Sequence, residues 1–311
     1  MTEMIETIPT YILTPAGLMP TPYQARSLTE AVRHEPRGVY TVARTFHGDH
    51  ALLLDAHLDR LEQSALLVNI PLRLDRGRLR AALRELLRQA GYPDAKFRIT
   101  VSYEHPDWLY FALEPFRPVP EAIMRQGAHV ITTPLVRENP VVKTTDWMVV
   151  RQPAWDSLPP GVYEAILVGQ GGRLLEGFSS NFYGVLDGAL RTAHDGVLAG
   201  ITRKAILTIA PEVLPVEPLA LHLSEVPRLA EAMLTSSGRG VVPITRIDGQ
   251  PLGDGQVGPI VSALRATHKH VSYYEVASHF GHDAFLLERG KMEGVIAAFL
   301  ASGARSYARS A

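Results

Sequence analysis

Strand-like and helix-like patterns alternate along the first part of the chain, and this alternation constrains the fold more than any other feature. The run 39–46 alternates apolar and polar residues and is followed by a turn and a second apolar run, which predicts a β-hairpin. Two helical patterns follow, one with Asp55 as its N-cap and one that starts at Asp75. The runs 96–103 and 108–115 then predict a pair of antiparallel strands. We therefore expect a sheet covered by helices.

A proline-rich segment separates this region from the next. The stretch 115–120 holds three prolines in six residues, which breaks both patterns and is typical of a linker. Since 311 residues exceed one typical domain, we expect more than one. The sequence predicts a small N-terminal α/β domain over 1–120, a larger domain over 121–265 and an atypical C-terminal tail over 266–311.

Composition narrows the class of protein. A hydrophobic content of 46% and a charged content of 20% are those of an ordinary soluble globular protein. A net charge of -1 gives no electrostatic reason to expect a nucleic acid or an anionic membrane as partner. The absence of cysteine excludes disulfides, thiolate metal sites and a cysteine nucleophile. With no signal-peptide pattern at its start, the chain is expected to be cytoplasmic.

Lys143 is the first candidate for chemistry. It is one of five lysines among 31 basic residues, and it follows the apolar approach 139–142. An amine nucleophile must be neutral, so its pKa must fall from about 10.4 to about 7–8 through burial or a neighbouring cation. The same pattern is also typical of a structural lysine in a salt bridge.

Glu176, in the string LLEGFSSN, is a second candidate for chemistry when it is considered together with Lys143. If Lys143 binds pyridoxal phosphate, a carboxylate against the pyridine nitrogen keeps that nitrogen protonated and makes the ring an electron sink. Alone, a Glu-Gly pair is also typical of a surface turn. The two residues together therefore carry more information than either does separately.

A phosphate group needs N–H donors and positive charge, and two segments offer them. Gly200 precedes a predicted helix whose first amides, at Ile201 and Thr202, have no intrahelical partner. Arg60 can supply the charge, and the Ser236–Ser237 turn can add hydroxyl and amide donors. Each of these features also has an ordinary structural explanation.

Six strings in order, VYTVARTF, HLDRLEQSA, VVKTTDW, LLEGFSSNF, LAGITR and LTSSGRGVVPITRIDG, resemble the fold-type IV pyridoxal-phosphate enzymes. This family, aminotransferase class IV, includes branched-chain and D-amino-acid aminotransferases, R-selective amine transaminases and aminodeoxychorismate lyases. The resemblance covers roughly residues 30–260. It implies two mixed α and β domains with the cofactor between them, in a homodimer.

The resemblance also implies a role for each candidate. Lys143 would form the Schiff base with pyridoxal 5'-phosphate and move the Cα proton, and Glu176 would hold the pyridine nitrogen. The residues implied to bind the phosphate are Arg60, Ile201, Thr202, Ser236 and Ser237. Ser179 and Ser180 would line the cofactor. Those on the strand that faces the substrate are Tyr40, Thr41 and Arg44.

Departures from the family's patterns leave the substrate open. Branched-chain members have a tyrosine five residues after the lysine, where this chain has Met148. D-amino-acid members hold the substrate carboxylate with an Arg-x-His pair, where this chain has 103–105, Tyr-Glu-His. We expect an aminotransferase acting on a small amino acid or amine and a keto acid. The alternatives are an aminodeoxychorismate lyase, which the Thr-x-Ala-Arg string favours, and a non-catalytic cofactor-binding protein.

The tail does not resemble the usual end of this family. Residues 271–300 resemble the C-terminus of homoserine O-acetyltransferases, with His282 in the position of the triad histidine. The chain contains no G-x-S-x-G string to supply the nucleophile, so we expect a packed appendage. A metal site formed by histidines is not expected, although four lie close in sequence: His268, His270, His279 and His282.

Overall fold

A six-stranded antiparallel sheet occupies the first half of the residues that the computed structural model describes, 7–267. Its strand order is β2-β1-β6-β5-β3-β4. The elements of this half are β1 (Thr10–Thr14), β2 (Gly17–Pro20), α1 (Leu28–Ala31), β3 (Gly38–Phe46), β4 (His50–Ala51), α2 (Leu54–Leu67), α3 (Arg76–Ala90), β5 (Ala95–Ser102) and β6 (Leu109–Pro115). The predicted hairpin and the predicted antiparallel pair, β5 and β6, are confirmed.

Helices α2 and α3 cover one face of this sheet because their leucines recur at helical spacing. Leu58 and Leu61 of α2 and Leu79 of α3 are fully buried against Phe97 of β5. Each such side chain contributes about 1.5–3 kcal/mol by leaving water. This packing gives β3 a rigid backing.

The predicted start of α3 is confirmed and that of α2 is wrong. Asp75 caps α3 by accepting a backbone N–H, and Gly91 ends the helix with a φ of 65°. Helix α2 instead begins after Leu53, whose φ is 52°, with no side-chain cap. Asp55 lies inside the helix, where its carboxylate accepts a hydrogen bond from Arg80 of α3 at 2.5 Å.

A nine-stranded mixed sheet follows, with the path β12-β11-β10-β13-β14-β7-β8-β9 and β15 paired with β14. Its strands are β7 (Ala128–Thr133), β8 (Glu164–Val168), β9 (Leu174–Gly177), β10 (Asn181–Leu186), β11 (Ala189–Arg191), β12 (Val216–Glu217), β13 (Glu231–Ser236), β14 (Gly240–Ile247) and β15 (Gln250–Pro251). The helices of this half are α4 (Glu121–Gln126), α5 (Thr145–Asp156), α6 (Ile201–Ile209) and α7 (Pro259–Thr267). The predicted linker is thus short, since α4 begins directly after Pro120.

The segment that carries Lys143 joins the two sheets. The N–H of Tyr40 donates to the Lys143 carbonyl at 2.9 Å, and Val39 forms a bridge with Thr144. The N–H of Gly38 donates to the Thr145 hydroxyl at 2.9 Å. A Cβ at Gly38 would lie 1.8 Å from the backbone oxygen of its neighbour across the sheet, so only glycine fits there. Strand β3 therefore positions the lysine directly.

The predicted tail lies almost wholly beyond the described residues, which end at Thr267 of α7. All four tail histidines, from His268 to His282, fall outside them. Within 7–267, no group of three or more histidine, aspartate or glutamate side chains could hold a metal ion. None of the helices in that range is long and apolar enough to cross a membrane.

Candidate active site

A cleft of about 320 Å³ lies beside the Lys143 segment. Its walls are formed by β3, α2, α5, the loop between β9 and β10, the start of α6 and the turn between β13 and β14. Ten predicted site residues line it: Tyr40, Arg60, Lys143, Glu176, Ser179, Ser180, Ile201, Thr202, Ser236 and Ser237. Residues spread over nearly two hundred positions therefore meet in one cavity.

The Lys143 amine has a lowered pKa. Burial lowers its pKa to about 8, and Arg60 and Arg137 act in the same direction, while Tyr40 opposes them. The amine lies 4.6 Å from the centroid of the Tyr40 ring. No acidic side chain among the described residues forms a salt bridge with it. A substantial fraction of Lys143 is therefore neutral near pH 8.

The Tyr40 phenol is the titratable neighbour of this amine. Burial raises its pKa, but the charges of Lys143, Arg151, Arg137 and Arg98 outweigh burial and lower it to about 7. The pKa values of Tyr40 and Lys143 are therefore close, and the two groups titrate as a coupled pair. The charge on each group therefore depends on the protonation of the other.

Glu176 is buried at the end of β9, with 2% of its surface exposed. One carboxylate oxygen accepts a hydrogen bond from Arg137 at 2.7 Å. The other accepts the Leu198 N–H at 2.9 Å and the Asn181 amide at 3.5 Å. Burial raises the Glu176 pKa, and Arg137 opposes this rise. Since a carboxylate accepts about four hydrogen bonds, one position stays free for a donor in the cleft.

Sequence patterns missed Arg137, which comes six residues before the lysine. It donates to Glu176 and, at 2.8 Å, to the carbonyl of Val142, and its guanidinium lies 5.5 Å from the Trp147 ring. An arginine in a proline-containing loop is typical of a solvated side chain, so no signal in the sequence could have placed it here.

The other end of the cleft has the chemistry of an anion site. Helix α6 begins after Gly200 with no side-chain cap, so its first N–H groups are free for a ligand. The Thr202 and Ser237 hydroxyls lie 3.4 Å apart. Arg60 is 8% exposed and donates to the Ala199 carbonyl at 3.2 Å, while its Nε has no partner. Burial lowers the Arg60 pKa to about 10, so it stays charged at neutral pH.

Asn181 ties the carboxylate end to the anion end and was also missed. Its amide donates to Glu176 at 3.5 Å and to the Leu198 carbonyl at 2.9 Å. A Cβ at Gly200 would lie 2.0 Å from the Asn181 side-chain oxygen, which explains the glycine before α6. One side chain thus fixes Glu176 relative to the helix start.

Ser179 and Ser180 follow β9 and differ in their surroundings. The N–H of Ser179 donates to Glu164 at 2.6 Å, and its hydroxyl accepts from Arg239 at 2.8 Å. Glu164, which is fully buried, forms an ion pair of 2.7 Å with the partly buried Arg239. The Ser180 hydroxyl is buried without a partner at the cleft. Ser179 is therefore committed to the wall, and Ser180 is free to bind.

Thr41 and Arg44 do not line the cleft. Successive side chains of a strand point to opposite faces, so Thr41 points away from Tyr40. Its hydroxyl lies 2.9 Å from His57 Nδ1 and accepts from Arg60 at 3.4 Å. The Arg44 guanidinium lies over two aromatic rings, 4.1 Å and 4.2 Å from the centroids of Phe46 and Phe116. The substrate roles assigned to these two residues stay predictions.

The chain is similar in sequence to proteins named as aminotransferases. The chain is 27% identical to a chloroplastic D-amino-acid transaminase of Arabidopsis thaliana over 257 residues, which covers 76% of this chain and 69% of that protein. It is 28% identical to a putative branched-chain-amino-acid aminotransferase of Methanocaldococcus jannaschii over 255 residues, covering 75% and 86%.

Solved structures show the same fold. The branched-chain aminotransferase of the thermophilic archaeon Thermoproteus uzoniensis, crystallised with norvaline, superposes with a TM-score of 0.70 and 22% identity, over 85% of this chain and 94% of that one. The Escherichia coli branched-chain amino acid aminotransferase gives a TM-score of 0.69 and 19% identity, over 89% and 98%. The mixed α and β fold of fold-type IV enzymes is therefore confirmed.

A family model agrees with these likenesses. The model for amino-transferase class IV matches residues 38–247, which is more than half of the chain and includes both sheets' contributions to the cleft. The protein therefore belongs to the class IV aminotransferases, a family of pyridoxal-phosphate enzymes.

Proposed function

We propose that the protein is an aminotransferase that uses pyridoxal 5'-phosphate, bound at Lys143, to move an amino group between a small amino acid or amine and a keto acid. The observation that carries this proposal is the convergence in one cleft of an amine with a lowered pKa, a buried carboxylate and an anion site. A homodimer, a cytoplasmic location and the division into domains 1–120 and 121–265 stay predictions.

The residues fit the cofactor on three counts. Lys143 supplies an amine whose pKa of about 8 suits attack on an aldehyde. Glu176 has one acceptor position free for a protonated ring nitrogen. Arg60 faces the uncapped start of α6, where both charge and N–H groups stabilise a phosphate. Its Nε has no hydrogen-bond partner, and no carboxylate in the described part of the chain pairs with it.

When bound, pyridoxal phosphate supplies the electron sink that makes the Cα proton of an amino acid removable. The protein's part is to position groups and move protons. Glu176 would accept a hydrogen bond from the ring nitrogen and keep it protonated, and Arg137 favours the charged form of Glu176 by opposing the effect of burial. Asn181 keeps this carboxylate in place relative to the phosphate site.

Lys143 acts twice in this scheme. Its neutral amine would hold the cofactor, and once a donor amine has taken its place, Nζ would take up the Cα proton of the donor and deliver it to the aldehyde carbon of the cofactor. The Tyr40 ring lies against this amine, and its phenol, with a pKa of about 7, affects the charge on Nζ. Apolar side chains of Val42, Trp147 and Met148 line the remaining space.

Covalent capture tests the proposal. Protein mixed with pyridoxal phosphate is expected to absorb near about 410 nm, and borohydride reduction is expected to leave the label on Lys143 in a peptide map. Protein that stays colourless and unlabelled would refute the proposal. Lys96 lines the same cleft and provides the internal control for a specific label.

A donor panel defines the activity. D-amino acids, L-amino acids and prochiral amines are each added to the yellow enzyme, and conversion to the pyridoxamine form is followed by absorbance. Conversion by any donor supports amino transfer, whereas release of pyruvate from aminodeoxychorismate without conversion supports a lyase instead. Absorbance near about 410 nm with neither result would identify a binding protein without turnover.

A further inference from the structure

Arg151 lies on α5, eight residues after Lys143, and lines the same cleft. It is partly buried, and its guanidinium donates to the Phe178 carbonyl and lies 5.9 Å from the Trp155 ring. The Phe178 carbonyl is already satisfied by the Trp147 indole N–H at 2.9 Å. Arg151 therefore has donors left over that its protein contacts do not use.

Arg151 differs from most of the other cations that line the cleft in having no carboxylate partner among the described residues. Four of the cations that line it have carboxylate partners within the described residues: Arg98 with Glu35, Arg137 with Glu176, Arg239 with Glu164 and Lys96 with Glu114. Three have none in that part of the chain: Arg60, Lys143 and Arg151.

The proposed cofactor accounts for two of these three. Its phosphate takes the charge of Arg60, and its aldehyde takes the amine of Lys143. Arg151 is left as a half-buried positive charge with no carboxylate partner among the described residues, a state that costs free energy unless a ligand supplies an anion.

We propose that Arg151 binds the α-carboxylate shared by the amino-acid donor and the keto-acid acceptor, and so selects acids over amines that lack a carboxylate. This inference rests on the proposed function. A guanidinium presents two parallel N–H donors that match a carboxylate, and one anchor can serve both substrates because both carry the same group in the same place.

The position of Arg151 relative to the reacting groups supports this role. Its charge is one of those that lower the pKa values of both Tyr40 and Lys143, so it lies near the amine that handles the Cα proton. The other arginine on this side, Arg98, is 3% exposed and is held by both oxygens of Glu35, at 2.8 Å and 2.5 Å. Arg98 is therefore already occupied.

The test compares Arg151→Gln with Arg151→Lys and with Arg125→Gln, a control on α4 whose arginine is exposed and pairs with Glu121. Each full-length variant is loaded with pyridoxal phosphate. The donor that reacts fastest with the wild type in the panel is then used to measure kcat, KM, the absorbance near about 410 nm and the melting temperature. The keto acid derived from this donor is measured in the reverse half-reaction.

Loss of the anchor is expected to raise KM for both the amino acid and the keto acid by about 10- to 100-fold in Arg151→Gln, as for a hydrogen-bonded charge pair. Arg151→Lys is expected to recover part of this loss. Cofactor absorbance and melting temperature are expected to match those of the wild type and of Arg125→Gln.

Three results would overturn the inference. The first is a KM within about threefold of the wild type for both substrates. The second is a fall in cofactor absorbance or melting temperature without a KM effect, which would assign Arg151 to holding the Phe178 loop. The third is a wild type that uses simple amines as well as amino acids. A wild type that binds no cofactor would instead refute the proposed function.

Discussion

Two lysines line the same cleft and differ in almost every contact. Lys96, on β5, forms an ion pair of 3.1 Å with Glu114, and 36% of its side chain is exposed. Lys143 lies against an aromatic ring, among arginines, with no carboxylate partner in the described residues, and its pKa falls to about 8. A position in the cleft is therefore not enough to distinguish an amine, since Lys96 is paired and partly exposed whereas Lys143 is buried without a carboxylate partner.

The strongest test of this contrast is activity. Lys143→Met is expected to lower kcat by at least about 10⁴-fold, because it removes both the cofactor bond and the proton carrier. Lys96→Met is expected to keep the covalent cofactor and lose less than about tenfold. The rates of the half-reaction with the best donor measure both losses. Equal losses in the two variants would show that the two lysines do not differ in function.

The two substitutions should change the free energy of unfolding in opposite directions, with Lys143→Met increasing it and Lys96→Met decreasing it. In the cofactor-free protein at pH 7, Lys143 is charged in a site that disfavours the charge, so Lys143→Met is expected to stabilise the fold by about 1–3 kcal/mol. The gain should shrink between pH 8 and about 10.5, because there the unfolded lysine binds more protons than the folded one and the stability of the wild type rises with pH. Urea unfolding at several pH values measures this, and a destabilised Lys143→Met at pH 7 would contradict it.

The Tyr40 phenol offers a finer test. Its negative charge raises the Lys143 pKa, so Tyr40→Phe is expected to bring that pKa below about 8. The midpoint of the pH dependence for covalent binding of added pyridoxal phosphate should then move to lower pH. Lys96→Met serves as the control and should leave the midpoint in place. A shift to higher pH in Tyr40→Phe would show that the phenol acts by another route.

Salt gives the smallest expected effect. The pair of Lys96 and Glu114 is partly exposed, so its removal should cost about 0–1 kcal/mol, and this cost should fall at high ionic strength. The effect of Lys143→Met arises mainly from burial and should change little with salt. Repeating the urea series with added sodium chloride checks both statements, and a strong salt dependence at Lys143 would argue against burial as the cause.

Local patterns predicted what depends on neighbours in sequence. The strand β3, the buried leucines of α2 and α3 and the cap at Asp75 each depend on residues close in sequence, and all are observed, whereas the cap predicted at Asp55 is not. Lys143 and Glu176 were found because the lysine's apolar flank and the order of the motifs are both visible in the sequence.

Long-range pairing explains what was missed. Arg137 and Glu176 are 39 residues apart, and only the fold brings them to 2.7 Å. Arg151 belongs to no recognisable sequence motif. It stands out only because no carboxylate of the described residues pairs with it, and this depends on the three-dimensional structure. The side chain of Thr41 lies outside the cleft because adjacent residues of a strand point to opposite faces, and its predicted substrate role stays untested.

The backbone contacts between β3 and the Lys143 segment set a limit on recombining this protein with its relatives. A chimaera cut within the proline-rich stretch 115–120 would take β3 from one parent and the lysine segment from another. The hydrogen bond from Tyr40 to the Lys143 carbonyl and the fit of Gly38 to Thr145 would then join residues of different ancestry. Crossovers that inherit 38–41 and 143–145 as one block should therefore yield active enzymes more often than cuts within 115–120.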